Sequence, residues 1–253
     1  MSAPAAAPPA RAIAAMTATE LRLALRRGEN LFATIVIPTL VLVLFSSLAI
    51  IPTGAARQVD FLLPGSIALG IIATGLVSLG ITTAYDRSYG VLKRLGGSPL
   101  SRADLIVARI LTVLVIEAVQ VALLVGVASL ALGWSARGAV SPVLLVAAIL
   151  AGTAAFAGLG LSLAGALRAE TVLALANVLF LFFLVVGGVI LPVDHLPEPL
   201  AALAGALPAA PLSALLRTAL GSTPGVDVAS SLVLLVAWAV GTLVVAARTF
   251  RWE

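Results

Sequence analysis

Six long runs of apolar residues alternate with short polar segments along the chain. Apolar runs of about eighteen or more residues are typical of membrane-spanning helices. The pattern therefore predicts an all-α membrane protein with six transmembrane helices, in a single membrane domain over residues 17–253. The predicted spans cover approximately residues 31–51, 61–84, 103–132, 142–167, 172–191 and 231–247.

The region before the first span divides into two parts. Its Ala- and Pro-rich beginning predicts disorder, and we place this disordered N-terminus at residues 1–16. From Thr17 to Asn30, leucines alternate with Glu20 and several arginines. This amphipathic pattern predicts either a helix that lies in the membrane interface or a simple extension of the first span.

The stretch between the fifth and sixth predicted spans, residues 192–230, is too long and too apolar for an ordinary loop. Prolines divide it into two short apolar stretches. Apolar stretches of about 10–14 residues are more typical of re-entrant or interfacial helices than of spans. We therefore predict a re-entrant helical pair before the last span.

The polar segment between spans 2 and 3 has the pattern of a helix with two unlike faces. One face is apolar and consists of Tyr85, Tyr89, Leu92 and Leu95. The other face holds Asp86, Arg87, Gly90, Lys93 and Arg94. The segment is either a solvated basic loop or a docking helix for a soluble partner.

The same segment ends in turn and cap signals. Gly96-Gly97 is expected to break the helix. Ser98-Pro99 is expected to form a turn, because proline disfavours the α conformation in the residue before it. Ser101 can then cap span 3, with Asp104 in the acidic position of a capping box. We therefore predict a short amphipathic helix, a tight turn and a restart into span 3.

Composition indicates the class of protein, and the distribution of charge indicates its orientation in the membrane. With 61% hydrophobic and 10% charged residues, the chain does not have the composition of a soluble protein. With six spans, both termini lie on one side, together with twelve of the fifteen basic residues. The other side holds Arg57, Arg137 and Arg217. Because basic residues concentrate in cytoplasmic loops, both termini and the segment between spans 2 and 3 are expected in the cytoplasm.

The sequence lacks the patterns of common catalytic sites. It has no Walker A phosphate-binding loop, no G-x-S-x-G or H-E-x-x-H motif and no cysteine. The single histidine, His195, cannot form a cluster of metal ligands and is expected on the surface. We therefore expect a non-enzymatic protein without a metal or cofactor of its own, so that any uphill transport draws energy from a partner.

Within the spans, Glu117 is the exceptional residue. It lies near the middle of span 3, with Gln120 one helical turn further on. A charged group at that depth costs about 2.5–3.5 kcal/mol, which favours a functional role. A hydrogen bond to a neighbouring span is an equal alternative. In span 5, Asn177 and Phe180 lie where they can contact an apolar ligand, pack in the core or face lipid.

Two groups of motifs resemble the membrane subunit of ATP-binding-cassette exporters of the second type, a family that includes drug, lipid and polysaccharide permeases. The first group consists of Leu63-Pro64-Gly65, about twenty apolar residues, Asp86-Arg87, Gly90, Leu92, Arg94-Leu95 and Ser98-Pro99-Leu100-Ser101. The second consists of Leu207-Pro208, Pro211-Leu212 and Leu215-Leu216-Arg217. The acids that the family often has near Ser88 and Lys93 are missing here.

The resemblance implies a six-span permease that pairs with a second copy or with a related permease. It also implies two separate ATP-hydrolysing subunits, which hold ATP and magnesium. A coupling helix would dock into these subunits through Arg87, Tyr89, Gly90, Leu92, Lys93, Arg94, Leu95 and Pro99. A translocation route would be lined by spans 2 and 5, with Thr74, Ser78, Asn177 and Phe180 as its residues, and Glu117 and Gln120 of span 3 are further candidates for this route.

The function implied by the resemblance is export of a hydrophobic or amphipathic cargo, such as a drug, an antibiotic or a lipid, across the bacterial cytoplasmic membrane. The ending of the central segment, residues 98–102, is most similar to the drug-export branch. Two alternatives stay open. One is export of a lipid-linked glycan or polysaccharide by the same mechanism, and the other is proton-coupled secondary transport with Glu117 as the proton carrier.

Overall fold

The computed structural model describes residues 9–26, 28–48, 51, 55, 57–97, 101–136, 138–222 and 227–249. Within these ranges the secondary structure is helical and contains no β-strand, which confirms the predicted all-α membrane protein. Five helices are long and apolar enough to cross a membrane: Gln58–Ser88, Arg102–Ala131, Pro142–Ala166, Ala169–Val186 and Val228–Thr249. A bent pair of helices raises this number to six if the pair counts as one span.

Two helices precede the second predicted span. Helix α1 (Pro9–Arg26) covers the predicted amphipathic segment, and α2 (Gly28–Leu48) covers the first predicted span. The prediction of disorder is wrong for residues 9–16, which are helical, while residues 1–8 lie outside the described part of the chain. Residues 10–15 are rich in alanine, the strongest helix former, and Met16 packs against a buried apolar cluster, so the helix starts early.

Span 2 is the central element of the bundle. It consists of α3 (Gln58–Ile72), a π-helical turn (Ala73–Ser78) and α4 (Leu79–Ser88), which follow one another without a break. In its most apolar stretch 83% of the residues are buried inside the chain, against 44% or less in the other four long helices. Neighbouring helices therefore surround span 2 on most sides.

Glycines allow the helices around span 2 to approach closely. A Cβ added at Gly80 would lie only 3.1 Å from Gly160 on α7 (Pro142–Ala166). On another side of α7, Gly158 lies directly against Thr242 of α11 (Val228–Thr249). Glycines on two sides of α7 thus make this helix a packing surface for its neighbours.

The segment between spans 2 and 3 differs from the predicted continuous helix. Helix α4 ends at Ser88, and α5 (Val91–Gly96) starts only after Gly90, whose φ of 71° lies in the left-handed region. Glycine adopts this conformation without a steric penalty, so it breaks the helix inside the predicted one. The predicted end at Gly96 is confirmed.

Helix α6 (Arg102–Ala131) begins with the predicted capping box. The amide of Asp104 donates to Ser101 Oγ at 3.1 Å, and the amide of Ser101 donates to Asp104 Oδ2 at 3.0 Å. The helix has 30 residues, which is longer than a bilayer requires, as predicted for span 3.

Helix α8 (Ala169–Val186) ends five residues before the predicted end of span 5. Gly187 and Gly188 follow it, and Gly188 has a left-handed φ of 65°. After a short 3-10 turn (Val193–His195), the predicted helical pair follows as α9 (Glu198–Ala206) and α10 (Ala209–Ala219), bent by 77°.

The contacts of α10 show how far this helical pair extends into the bundle. Its Leu212 packs against Gly152, ten residues into α7, whereas the carbonyl of Ala219 accepts a hydrogen bond of 2.9 Å from the amide of Ser141 at the start of α7. Helix α10 therefore runs from the middle of the bundle back to its edge, which is the geometry of a re-entrant segment.

Candidate functional site

Two adjoining cavities lie beside span 2. The larger has a volume of about 210 Å³ and is lined by α2, span 2 and α8. The smaller has a volume of about 80 Å³ and is lined by α1, α2, span 2 and α6. Thr34, Ser78 and Thr82 line both cavities. The two cavities therefore share a wall of three hydroxyl-bearing side chains.

The structure brings together four of the residues that the sequence analysis places on a route. Thr74 lines the smaller cavity, Ser78 lines both, and Asn177 and Phe180 line the larger one. Thr74 and Ser78 belong to the π-helical turn of span 2. Such turns are rare inside α-helices and often occur at functional sites.

Glu117 and Gln120 do not line either cavity. Both are buried, with exposures of 1% and 2%. Thr153 of α7 donates a hydrogen bond to Glu117 Oε2, while Glu117 Oε1 has no partner among the described residues. Gln120 Nε2 donates to the carbonyl of Thr34 at 2.9 Å. These two side chains thus connect neighbouring helices, in agreement with the helix-packing alternative.

Sequence reasoning missed several residues that line the cavities. Thr82 continues the series Thr74 and Ser78 at a spacing of four, so a closer reading of the helical periodicity would have found it. Thr34 on α2 and Glu20 on α1 carry no such signal, because only the folded chain brings them next to span 2.

A buried ionic cluster joins α1, span 2 and span 3. Arg109 is 2% exposed, and its Nη2 lies 2.5 Å from Asp86 Oδ2 and 3.5 Å from Glu20 Oε1. Its Nη1 donates to the hydroxyl of Thr83. Breaking a buried ion pair by removing one partner costs about 3–5 kcal/mol. The cluster therefore fixes α1 to the ends of spans 2 and 3.

The basic residue beside this cluster has an internal partner as well. Arg87 donates through Nη1 to the carbonyl of Gly165 at 2.8 Å and through Nη2 to the carbonyl of Leu167. These carbonyls lie at the C-terminus of α7, where a cation is stabilising. The guanidinium of Arg87 is therefore bound within the chain, and its contact with a partner protein stays a prediction.

Only part of the predicted docking surface is available on α5 and the turn before it. Tyr89 is 73% exposed and Val91 38%, and Lys93 and Arg94 are exposed as well. Leu92 is only 1% exposed, since it packs in a cluster of this chain's own apolar residues. Its predicted contact with a partner is therefore wrong.

The other predicted contact residues differ in their positions. Leu95 is partly buried against the same cluster as Leu92, and Gly90 provides the helix break rather than a helical contact. Pro99 lies outside the described residues.

A second buried cation lies at the other end of span 2. Arg217 of α10 donates to the carbonyl of Gly188 and lies 3.5 Å from the carbonyl of Val189. Its Nη1 lies 3.4 Å from Ser213 Oγ. Beside it, Gly65 is so close to Val189 that any Cβ would overlap the carbonyl oxygen. The Pro64-Gly65 and Leu216-Arg217 motifs thus meet at the loop after α8.

The sequence was also compared with known proteins. A family model described as ABC-2 type transporter matches residues 11–220. The match includes both motif groups, the two cavities and the bent helical pair. No curated protein matches the chain significantly.

Proposed function

The chain belongs to the ABC-2 type transporter family, and from this membership we propose that it is the permease subunit of an ATP-driven exporter for a hydrophobic or amphipathic cargo. As a multi-pass membrane permease, it provides the route and not the energy. We place it in the drug-export branch, with a drug, an antibiotic or a lipid as the cargo.

The observation that carries this proposal is the larger cavity between α2, span 2 and α8. Its wall combines apolar side chains, among them Pro38 and Phe180, with the polar groups of Ser78 and Asn177. Pockets for drug-sized ligands have volumes of about 300–1,000 Å³. At about 210 Å³ the cavity fits one end of such a cargo, and we infer that a second permease completes the wall.

The energy source in this proposal is a pair of separate ATPase subunits that bind ATP and magnesium. The exposed corner of Tyr89, Val91 and Arg94 is the surface that we assign to their docking. Leu92 anchors this corner in a cluster that contains Leu105 of α6. A push on α5 therefore moves the ends of spans 2 and 3 together.

We further propose that the protein lies in the bacterial cytoplasmic membrane with both termini in the cytoplasm. The distribution of basic residues supports this orientation, since it places α5 on the cytoplasmic side. The second permease is either another copy of this chain or a related subunit. Exposed apolar residues on α6 and α11, such as Val119 and Val240, face lipid or this second subunit.

Photo-crosslinking tests the docking surface directly. A photoreactive amino acid at Tyr89 is expected to capture a protein that carries a Walker A loop, identified by mass spectrometry. The control position is Leu130, which is 92% exposed at the opposite end of α6 and should give no such adduct. Equal capture of the ATPase from both positions, or its absence from the Tyr89 adducts, would contradict the assignment.

A charge reversal provides the functional readout. Truncating a residue in the centre of an interface often costs about 2 kcal/mol or more, which corresponds to about thirtyfold in affinity. Arg94→Glu is expected to weaken co-purification of the ATPase and to lower ATP hydrolysis by the complex. Arg22→Glu, an equivalent change on the exposed side of α1, should leave both unchanged. Wild-type behaviour of Arg94→Glu would count against this surface.

A further inference from the structure

The buried ionic cluster contains more negative than positive charge. Two carboxylates, those of Asp86 and Glu20, share the single guanidinium of Arg109. The neighbouring base, Arg87, is bound to carbonyls at the end of α7 instead. Within the part of the chain that the structure describes, the cluster therefore carries one negative charge without a counter-ion.

The surplus charge lies on Glu20. Arg109 is 2.5 Å from Asp86 but 3.5 Å from Glu20, so Asp86 is its closer partner. Glu20 makes no other hydrogen bond or ion pair with the described residues, and its side chain is 16% exposed. An ionised carboxylate offers about four acceptor positions. Most of those on Glu20 are therefore open.

The open carboxylate borders the smaller cavity. Glu20 and Arg109 are the only charged residues among the described ones that line either cavity. Arg109 is 2% exposed, and its two terminal nitrogens are directed to Thr83 and to the carboxylates. Glu20 is thus the charged group that a molecule inside the cavity can reach.

The remaining walls of both cavities combine hydroxyl groups with apolar side chains. Thr74 and Thr112 line the smaller cavity together with Glu20. The larger cavity shares Ser78 with the smaller one and is lined by apolar groups that include Phe180. A ligand that fits both cavities has a compact polar head that donates hydrogen bonds to Glu20, joined to an apolar body.

We propose that Glu20 and the two cavities form a binding site for an amphipathic organic amine. The ammonium group binds to the Glu20 carboxylate and to the nearby hydroxyls, and the apolar body occupies the larger cavity. Burying a charge is costly unless it is paired, so a cation is favoured over a neutral or anionic head group. A metal ion fits less well, because no three metal-binding side chains cluster among the described residues.

This inference rests on the proposed function for the role of the cavities as a cargo site, but binding of the amine needs no ATPase. Loss of amine binding would remove the Glu20 site and leave the exporter assignment untouched. Failure of the crosslinking to an ATPase would do the reverse. The two proposals can therefore fail separately.

The test uses the absence of cysteine from the chain. Ser78→Cys places a single thiol between the two cavities of the full-length protein in lipid nanodiscs. Decylamine, decanol and decanoate then provide a cationic, a neutral and an anionic head on the same chain. Decylamine is expected to slow alkylation of the thiol at concentrations at least about tenfold below those that decanol requires. The reason is that its ammonium group makes a charge-assisted hydrogen bond to Glu20, which an alcohol cannot make.

Variants at the carboxylate decide the outcome. Glu20→Gln should abolish the preference for decylamine, Glu20→Asp should retain it, and Glu170→Gln, a change at an exposed glutamate of α8, should leave it intact. A thiol at Leu130, far from the cavities, should show no preference and reports general membrane partitioning. Equal protection by the amine and the alcohol in the parent protein would overturn the proposal, and so would an unchanged preference in Glu20→Gln.

Discussion

The guanidinium carbon of Arg217 lies 3.8 Å from the centre of the Phe61 ring. This cation–π contact joins the re-entrant α10 to the start of span 2, and the same guanidinium holds carbonyls of the loop after α8. One buried residue therefore connects three elements at the end of span 2 that lies opposite α5. We infer that this end of the bundle is held together by Arg217 rather than by apolar packing alone.

Replacing Arg217 with methionine should destabilise the protein. The carbonyl of Gly188 would lose its charged donor, and an unpaired buried polar group costs about 1–3 kcal/mol. Arg217→Lys should have an intermediate effect, since a single ammonium cannot reach the carbonyls and cover the Phe61 ring at once. Thermal unfolding in detergent measures both. Arg22→Met on the exposed side of α1 is the control, with an expected change within about 0.5 kcal/mol. A parental melting temperature for Arg217→Met would argue against the inferred role.

Two glycine-to-alanine changes should have opposite effects. At Gly65 the new Cβ would overlap the carbonyl oxygen of Val189, so Gly65→Ala should cost about 1–3 kcal/mol by forcing span 2 away from the loop. At Gly241 in α11 no other atom lies within 4 Å of the new Cβ. Gly241→Ala should therefore be neutral or stabilise the helix by up to about 1 kcal/mol. If both variants unfold at the same temperature as the parent, the close approach of Gly65 to Val189 does not contribute to the stability of the protein.

The role of Glu117 can be tested by removing its charge. Glutamine keeps the shape of the side chain and an oxygen that accepts the hydrogen bond from Thr153. Glu117→Gln should therefore retain assembly and ATP hydrolysis in the complex. Glu117→Leu should be tolerated or improve expression, because a charged group at the centre of a span costs about 2.5–3.5 kcal/mol. Loss of transport in a well-folded Glu117→Gln variant would instead favour the proton carrier.

Local signals in the sequence predicted the features that depend on neighbouring residues. The capping box of Ser101 and Asp104 and the helix break at Gly96 involve residues at most a few positions apart. The spans and the bent pair follow equally from runs of apolar residues. Thr74 and Ser78 were predicted in another way, because the resemblance places span 2 at the route, and both residues line the smaller cavity.

The faces of the central segment were predicted wrongly because they depend on distant residues. A helical wheel over Tyr85 to Leu95 assumes one continuous helix, and the left-handed Gly90 interrupts it. Leu92 then turns towards α6, and Arg87 reaches a carbonyl of Leu167, 80 positions further along the chain. The contact of Glu20 with Arg109 is equally non-local. Pairings of this kind leave no periodic signal in a single sequence.

The orientation in the membrane is a prediction that cysteine labelling can test. The chain has no cysteine, so single substitutions report on one position each. Ser135, after α6, and Asp194, after α8, are exposed at the ends that we assign to the outside, and Ser88, before α5, is exposed at the end that we assign to the cytoplasm. In intact cells an impermeant maleimide should label Ser135→Cys and Asp194→Cys but not Ser88→Cys. Permeabilised cells should label all three positions, which controls for the reactivity of each thiol.

The physical basis of this prediction is the excess of arginine and lysine on the side of α5, which is retained in the cytoplasm. Labelling of position 88 in intact cells would reverse the orientation and place the proposed ATPase-docking corner on the wrong side of the membrane.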